Sequence, residues 1–227
     1  MQAAVRIDET RAPWLWWAAL AVGSTYMLPV LLALGGPSII LWKGAGVGLL
    51  ALWAAVNGRD RQGQMIALVL GFGALGDVLL ETSGLMIGAF AFLFGHVIAI
   101  GLYNANPRPK LTGSQRLLTA VVTPLSLAIS WFLLREVGSF HTAMFAGALF
   151  YTLVVAVMVA SAWMSSFPRY RVGLGAMLFL ISDLLIFARI GGAVPQAAGS
   201  ILIWPLYFGG QALIAWGVVT TLAARRR

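Results

Sequence analysis

Long apolar runs, each close to the length that crosses a bilayer, follow one another along almost the whole chain of 227 residues. A membrane-spanning helix needs about 20 consecutive, mostly apolar residues. Turn-forming residues such as Gly35, Gly36 and Pro37 separate the runs. Eight spans can be drawn, at residues 14–34, 38–56, 64–81, 85–104, 115–134, 139–161, 171–190 and 199–222. The pattern predicts an all-α fold, a polytopic membrane bundle of eight transmembrane helices.

The composition excludes an ordinary soluble domain. Only 10% of the residues are charged and 60% are hydrophobic, with a mean hydropathy of +0.90. A soluble domain carries about 25% charged residues. We therefore expect one integral membrane domain over residues 1–227. No small-residue cleavage site follows the first apolar run, so we expect that run to be a retained span rather than a cleaved signal peptide.

The net charge of +8 is read as a topology signal. The basic residues lie in short loops and tails rather than on one face, so we predict no nucleic-acid partner. If the N-terminus is cytoplasmic, only Lys43, Arg135 and Arg189 among the 15 basic residues lie on the outer side. We therefore predict that both termini are cytoplasmic. The abundance of arginine, alanine and glycine favours a bacterial protein, and hence a multi-pass protein of the inner, cell membrane.

Two aspartates, Asp77 and Asp183, lie inside long apolar runs. A charged side chain at the bilayer centre costs roughly 2.5–3.5 kcal/mol on insertion scales. Chains carry such a group when it faces a protein interior and has a function. The two positions are therefore the first candidates for catalytic residues. Glu81 follows Asp77 by four residues, on the same helix face, but nearer the outer boundary.

Further polar groups share the outer-to-middle depth of the bundle with these acids. Together they come from six different spans, which predicts a polar pocket inside an apolar bundle. The groups added to the two aspartates are Lys43, His96, Tyr151, Tyr207 and Gln211.

Each of these residues also has a purely structural interpretation. Asp77 could form an ion pair with Lys43 or Arg189. Asp183 could accept hydrogen bonds from Tyr or Ser side chains for packing alone. His96 is as readily an interhelical hydrogen-bonding group as a catalyst, and a lysine near a span end can extend to the interface. Structural or interfacial positions are also open for Tyr151, Tyr207, Gln211, Glu81 and His141.

The absence of other motifs narrows the chemistry. The chain has no cysteine and two histidines, which lie in different spans and at different depths. A catalytic zinc site usually takes three protein ligands. No GxSxG, HExxH or phosphate-binding glycine loop occurs. We therefore expect no metal and no cofactor. The pair of intramembrane carboxylates then remains as the candidate for catalysis.

The candidate residues occur along the chain within short motifs, in the order Gly76-Asp77, Phe94-Gly95-His96, Tyr151, Ser182-Asp183, and Tyr207 with Gln211. This ordered set resembles the YhhN family, eight-helix membrane proteins that include animal lysoplasmalogenases. The resemblance runs from about the second span to the end of the eighth.

The resemblance implies hydrolysis of the vinyl ether bond of a lysoplasmalogen, giving a fatty aldehyde and glycerophosphoethanolamine or glycerophosphocholine. A vinyl ether is cleaved by proton transfer to carbon, which creates an oxocarbenium ion that water captures. One carboxylic acid and one carboxylate can divide this work, as in glycoside hydrolysis. We expect Asp183 to be the acid and Asp77 the stabiliser or base, with the reverse assignment open, and His96 to tune one of them.

The same resemblance implies a lysophospholipid substrate that enters from the membrane lipids. We expect its binding residues to be Lys43, Tyr151, Tyr207, Gln211, Glu81 and Ser182. An alternative is a proton-coupled small-molecule or lipid transporter, because intramembrane acids and a histidine also form proton relays. A third interpretation is a structural or lipid-sensing protein whose polar cluster only fixes helix register.

Overall fold

Eight helices long and apolar enough to cross a membrane make up the computed structural model, which describes residues 6–138 and 142–226. The predicted fold class is confirmed, and no strand occurs in the described residues. The helices are α1 Pro13–Leu31, α2 Pro37–Asn57, α3 Arg61–Thr82, α4 Leu85–Asn104, α5 Gly113–Leu134, α6 Thr142–Met164, α7 Arg169–Ile190 and α8 Gln196–Ala224.

The helix boundaries differ from the predicted spans by a few residues, and capping explains two of the differences. α3 begins at Arg61 rather than 64, because the Asp60 side chain accepts a 2.7 Å hydrogen bond from the Gly63 amide. α5 begins at Gly113 rather than 115, because Thr112 and Gln115 form a reciprocal capping box. Hydropathy marks the apolar core of a span, whereas polar caps set its end. The predicted start of the sixth span, with His141, lies outside the described residues.

α1 is interrupted near a proline. It consists of Pro13–Thr25 and Met27–Leu31, joined at Tyr26. Pro29 has no amide hydrogen with which to bond the Thr25 carbonyl one turn earlier. The interruption directs the Tyr26 ring against Trp204 of α8, with the ring centroids 4.5 Å apart.

α8 lies at the centre of the bundle, in contact with α1, α2, α3 and α7. The helices α1 to α4 pack in sequence, α5 pairs with α6, and α4 also packs against α6. α7 and α8 approach closely at Gly175 and Gly210, where a side chain on either glycine would meet the other's carbonyl oxygen at 2.6 Å. Small residues at this crossing allow close packing between membrane helices.

The two chain ends meet at one end of the bundle, which we call the terminal end. The Arg11 amide donates to the Asn57 side chain at 2.8 Å, and the Arg226 guanidinium donates to the Asn57 carbonyl at 2.9 Å. The opposite end, which holds the loops after α1, α3, α5 and α7, is the far end. Large apolar side chains such as Leu41 and Leu117 are exposed along the helices between the two ends. Such a surface suits lipid rather than water.

Candidate active site

Three polar side chains from three helices form one hydrogen-bonded chain. The Tyr151 hydroxyl of α6 donates to Asp183 Oδ2 of α7 at 2.9 Å, and it lies 3.4 Å from His96 Nε2 of α4. A tyrosine hydroxyl has one hydrogen, so once it donates to Asp183 it can only accept from the imidazole. The arrangement therefore fits a His96 that carries a proton on Nε2. Both His96 and Asp183 are buried.

Asp183 and Tyr151 lie in the wall of an otherwise apolar cavity of about 320 Å³. The wall is formed by parts of α3, α4, α6 and α7, and it extends toward the far end through Leu85 and Ala143. Phe90 of α4 and Phe150 of α6 line the cavity and are more than half exposed on the outer surface of the bundle. The cavity therefore lies beside the lipid-facing surface, between α4 and α6.

Asp77 belongs to a second hydrogen-bonded group. Its side chain is 2% exposed, and its Oδ2 accepts a 2.8 Å hydrogen bond from the Tyr207 hydroxyl of α8. The Gly73 carbonyl lies 3.3 Å from the same hydroxyl. Asp77 is not among the residues that line the 320 Å³ cavity. Of the two intramembrane aspartates, Asp183 is the one in direct contact with this cavity.

A layer of aromatic rings lies between the two groups. Phe179 contacts His96 on one side and Tyr207 on the other, with centroid distances of 4.7 and 5.3 Å. Phe92 contacts both Phe179 and Tyr207, at 6.0 and 5.8 Å. Tyr207 is within electrostatic reach of Asp183 as well as Asp77. The two hydrogen-bonded groups thus lie on either side of the same rings, and of the two aspartates only Asp183 borders the larger cavity.

A much smaller cavity of about 10 Å³ lies next to this layer. Its wall includes His96, Phe179 and Gln211. Gln211 Oε1 and the hydroxyl of Tyr103, also in the wall, are buried and have no hydrogen-bond partner among the described residues. A volume of about 10–15 Å³ with polar groups around it is enough for one water molecule. The small cavity is therefore suited to one water molecule, held beside Gln211 Oε1 and the Tyr103 hydroxyl.

Lys43 forms an ion pair with Glu81, with Nζ and Oε1 2.6 Å apart. The Lys43 side chain is 14% exposed and that of Glu81 is 41% exposed. The pair therefore lies where the polar residues of the bundle reach the surface near the far end, and we call this place the mouth of the polar region. The interpretation of Asp77 as half of an ion pair with Lys43 or Arg189 does not describe its hydrogen bonding, because its hydrogen-bond donor is Tyr207. Arg189 instead packs its methylene groups beside Gly199.

Most of the predicted residues thus belong to three neighbouring groups, namely His96 with Tyr151 and Asp183, Asp77 with Tyr207, and Lys43 with Glu81. One predicted residue, Ser182, lies apart from them. The Ser182 hydroxyl donates to the Phe179 carbonyl of its own helix at 2.6 Å and does not line the cavity. Within the described residues, no group of three or more His, Cys, Asp or Glu side chains could hold a metal ion.

Sequence reasoning missed Phe92, Phe179 and Tyr103. The first two lie one helical turn before His96 and Asp183, so a search at four-residue spacing from these polar residues would have found them. Tyr103 lies about two turns after His96 and carries no comparable signal. Phe94, next to the predicted Gly95-His96 pair, is 58% exposed and faces away from the site.

Comparison with known proteins gives one family. The model of the YhhN family matches residues 38–218, from the first turn of α2 into the last third of α8. No curated protein and no solved structure matches the chain.

Proposed function

The chain belongs to the YhhN family, and we propose that it is a membrane-embedded hydrolase that cleaves the vinyl ether bond of a lysoplasmalogen. The products would be a fatty aldehyde and glycerophosphoethanolamine or glycerophosphocholine. One observation carries the proposal: Asp183, a buried carboxyl group, lies in the wall of an apolar cavity beside the lipid-facing surface. Cleavage of a vinyl ether by proton transfer to carbon needs a proton donor beside the site that binds the hydrocarbon chain.

The alkenyl chain would occupy the 320 Å³ cavity. Its size is at the lower end of the range for small-molecule sites, about 300–1,000 Å³. Because Phe90 and Phe150 line the cavity and also face outward, the tail can enter from the bilayer between α4 and α6. Apolar walls bind the tail without consuming polar groups, so the vinyl ether is left beside Asp183 and Tyr151.

In the first step Asp183 would transfer a proton to the alkenyl carbon that does not bear the oxygen. This leaves an oxocarbenium ion at the carbon that does. Tyr151 donates to Asp183 Oδ2, so the transferred proton would come from Oδ1. The His96–Tyr151–Asp183 hydrogen bonds hold the carboxyl group in one orientation for this transfer.

In the second step water would add to the oxocarbenium carbon and lose a proton to a carboxylate. The small cavity beside Gln211 is suited to hold that water, and Asp77, with Tyr207, would stabilise the cation from across the aromatic layer. The carboxylate that takes the water proton would be Asp183, which is thereby an acid again. The hemiacetal hydroxyl then loses its proton and the glycerol oxygen gains one as the bond between the former vinyl carbon and that oxygen breaks, so that glycerol leaves as an alcohol. The aldehyde carbon retains the tail, and the sum is the addition of one water.

Lys43 would contact the substrate phosphate near the far end. It lies with Glu81 at the mouth of the polar region, and a cation can exchange a carboxylate partner for a phosphate oxygen. Glu81 would then face the ammonium group of the headgroup.

The decisive experiment is aldehyde release from purified protein in detergent. We expect turnover of alkenyl lysolipid, and none of the matching alkyl ether, which cannot form the cation by protonation. Asp183→Asn should abolish release, and Asp77→Asn should reduce it. The control is Glu136→Gln, which removes an exposed carboxylate that is paired with Arg135, outside the cavity. Wild-type turnover by Asp183→Asn would refute the scheme.

The His96–Tyr151–Asp183 chain also supports a second candidate, a proton-coupled transporter of small molecules or lipids, because linked hydrogen bonds can carry a proton. One comparison of assays distinguishes the transporter from the hydrolase. A transporter produces flux only in sealed vesicles and changes no covalent bond, whereas the hydrolase works in detergent without a gradient.

A further inference from the structure

Two loops at the terminal end are joined into one rigid rim. The Arg108 amide, in the loop after α4, donates to the Met164 carbonyl at 3.0 Å, and the Ser166 amide donates to the Asn106 carbonyl at 2.7 Å. Arg225 at the end of α8 donates to both loops, at 2.5 Å to the Asn106 side chain and 2.9 Å to the Ser166 hydroxyl. The rim is therefore fixed by contacts from three parts of the chain.

This rim borders a cavity of about 690 Å³, larger than the one beside Asp183. Among the described residues its wall holds no carboxylate side chain, and the polar residues other than the basic ones are neutral. None of the ion pairs found among residues 6–138 and 142–226 involves its cations. The basic residues of the wall are Arg108, Lys110, Arg169, Arg171 and Arg225.

The arginines of this cavity are held by neutral partners. Arg108 donates to the carbonyls of Ser165 and Phe167 at 3.1 and 2.9 Å. The Arg171 guanidinium lies 3.8 Å from the ring centroid of Trp216. Such contacts fix the direction of the guanidinium groups and leave their positive charge uncompensated. A concave site with ordered cations and hydroxyl groups is suited to an anion.

The role of basic residues in setting membrane topology does not by itself explain why these five lie around one cavity. The positive-inside rule requires basic residues in the loops of one side, at any position within them. Arg59, Arg61 and Arg116 belong to the same end of the bundle and do not line the cavity. Five other basic residues, from the loop after α4, the first turn of α7 and the end of α8, share one concave wall.

We propose that this cavity binds the phosphate headgroup of an anionic phospholipid from the leaflet at the terminal end. Exposed apolar side chains occur within three positions of its lining residues Arg169, Arg171 and Gln115 along the chain, namely Tyr170, Leu174 and Leu117. The position is thus at the boundary between lipid and water, where a headgroup lies. Basic sites between membrane helices at this level suit lipids with negatively charged headgroups.

The lipid site is separate from the candidate active site. Arg171 and Asp183 are twelve residues apart on α7, which corresponds to about 18 Å along the helix axis. One lysolipid headgroup cannot lie at both the far-end mouth and this cavity. The proposal therefore does not depend on the hydrolase proposal, and either can fail alone.

Binding can be measured by native mass spectrometry of the full chain in detergent with short-chain, soluble lipids. We expect dihexanoyl phosphatidylglycerol to bind and dihexanoyl phosphatidylcholine to bind much more weakly. The double variant Lys110→Gln/Arg169→Gln should weaken binding about thirtyfold, and Lys110→Gln alone about fivefold, since each charge contributes on the order of 1 kcal/mol. The control Arg59→Gln/Arg61→Gln removes the same charge at the same end, outside the cavity.

Equal weakening by the control pair would overturn the proposal, because it would show attraction to net charge only. The source of the anion is tested with sn-glycerol 3-phosphate and inorganic phosphate. If these bind as tightly as phosphatidylglycerol, with the same dependence on Lys110 and Arg169, the lipid assignment is wrong. Lys110 forms no hydrogen bond among the described residues, so its single substitution keeps the test valid if the double variant does not fold.

Discussion

Tyr151 of α6 donates a 2.9 Å hydrogen bond to Asp183 of α7, and this bond is formed in the wall of the apolar cavity. The same hydroxyl reaches His96 of α4. Three helices are thereby joined at a polar point in a wall whose other described residues are apolar and suited to a hydrocarbon chain. The consequences can be measured with single substitutions.

Tyr151→Phe removes the donor to Asp183 and keeps the ring. We expect kcat for aldehyde release to fall about ten- to hundredfold, because Asp183 becomes a carboxylate as it gives up its proton and a hydrogen bond to a charged group is worth about 1.5–3 kcal/mol. Substrate affinity should change little, since the ring still lines the cavity. The control is Tyr170→Phe on the exposed surface of α7. Unchanged turnover would show that the carboxyl group needs no orientation by Tyr151.

Asp77 and Tyr207 should be coupled in stability. Tyr207→Phe leaves the Asp77 carboxyl group buried without its donor, so we expect a loss of about 1–3 kcal/mol in unfolding free energy. A double-mutant cycle with Asp77→Asn should give a coupling energy above about 0.5 kcal/mol, because the two residues are in direct contact. Thermal and denaturant unfolding in detergent measure this. Simple additivity would contradict the hydrogen bond.

Gly76→Ala tests the aromatic layer. A methyl group at this position would lie 2.8 Å from the Phe92 ring, so the ring must shift. We expect lower activity, because Phe92 lines both cavities. Gly71→Ala on the same helix is a matched control, since nothing lies within 4 Å of the added group. Helix propensity favours alanine by up to about 1 kcal/mol at both sites, so the difference between them isolates the contact.

Gly147→Leu tests whether the cavity holds the lipid tail. Gly147 lines the cavity, and a Cβ atom added to it has nothing within 4 Å. A leucine there would occupy part of the 320 Å³, so KM should rise strongly for long alkenyl chains and less for short ones. Gly209→Leu, at an equally open position outside the cavity, should leave the chain-length profile unchanged. Equal effects on all chain lengths would place the tail elsewhere.

Lys43→Gln tests the headgroup assignment. We expect KM to rise for alkenyl lysophospholipid with little change in kcat, because the lost contact is made equally in the ground and transition states. The same variant should bind 1-alkenylglycerol, which has no phosphate, as the wild type does. A KM change for both substrates would indicate that breaking the Lys43–Glu81 pair has altered the fold rather than the headgroup site.

Hydropathy was sufficient for the eight spans, because each membrane helix satisfies its own backbone hydrogen bonds and its length depends on a local run of apolar residues. The intramembrane position of Asp77 and Asp183 follows from the same local property. The motifs from Gly76 to Gln211, in their order along the chain, were also sufficient to identify the family. What these residues do in the site stays a prediction until activity is measured.

Only the tertiary structure decided which polar group faces which neighbour. These helices are apolar on nearly all sides, so the sequence carries no amphipathic face that would fix their rotation. Rotation is set by close contacts such as that of Gly175 with Gly210, and by rings such as Phe92 fitted against Gly76. Such contacts join residues far apart in the chain, and no local pattern encodes them.

The same difference between local sequence and tertiary packing applies to the partner of Lys43 and to the basic cavity. The sequence determined that Lys43 lies near Glu81 and Asp77 in depth, and packing decided that Glu81 is its ion-pair partner. The sequence placed most of the basic residues on one side of the membrane by their loops. Hydrogen bonds between two loops distant in sequence gathered five of them around one cavity. Depth in the bilayer is a property of one helix, whereas a binding site is a property of several helices packed together.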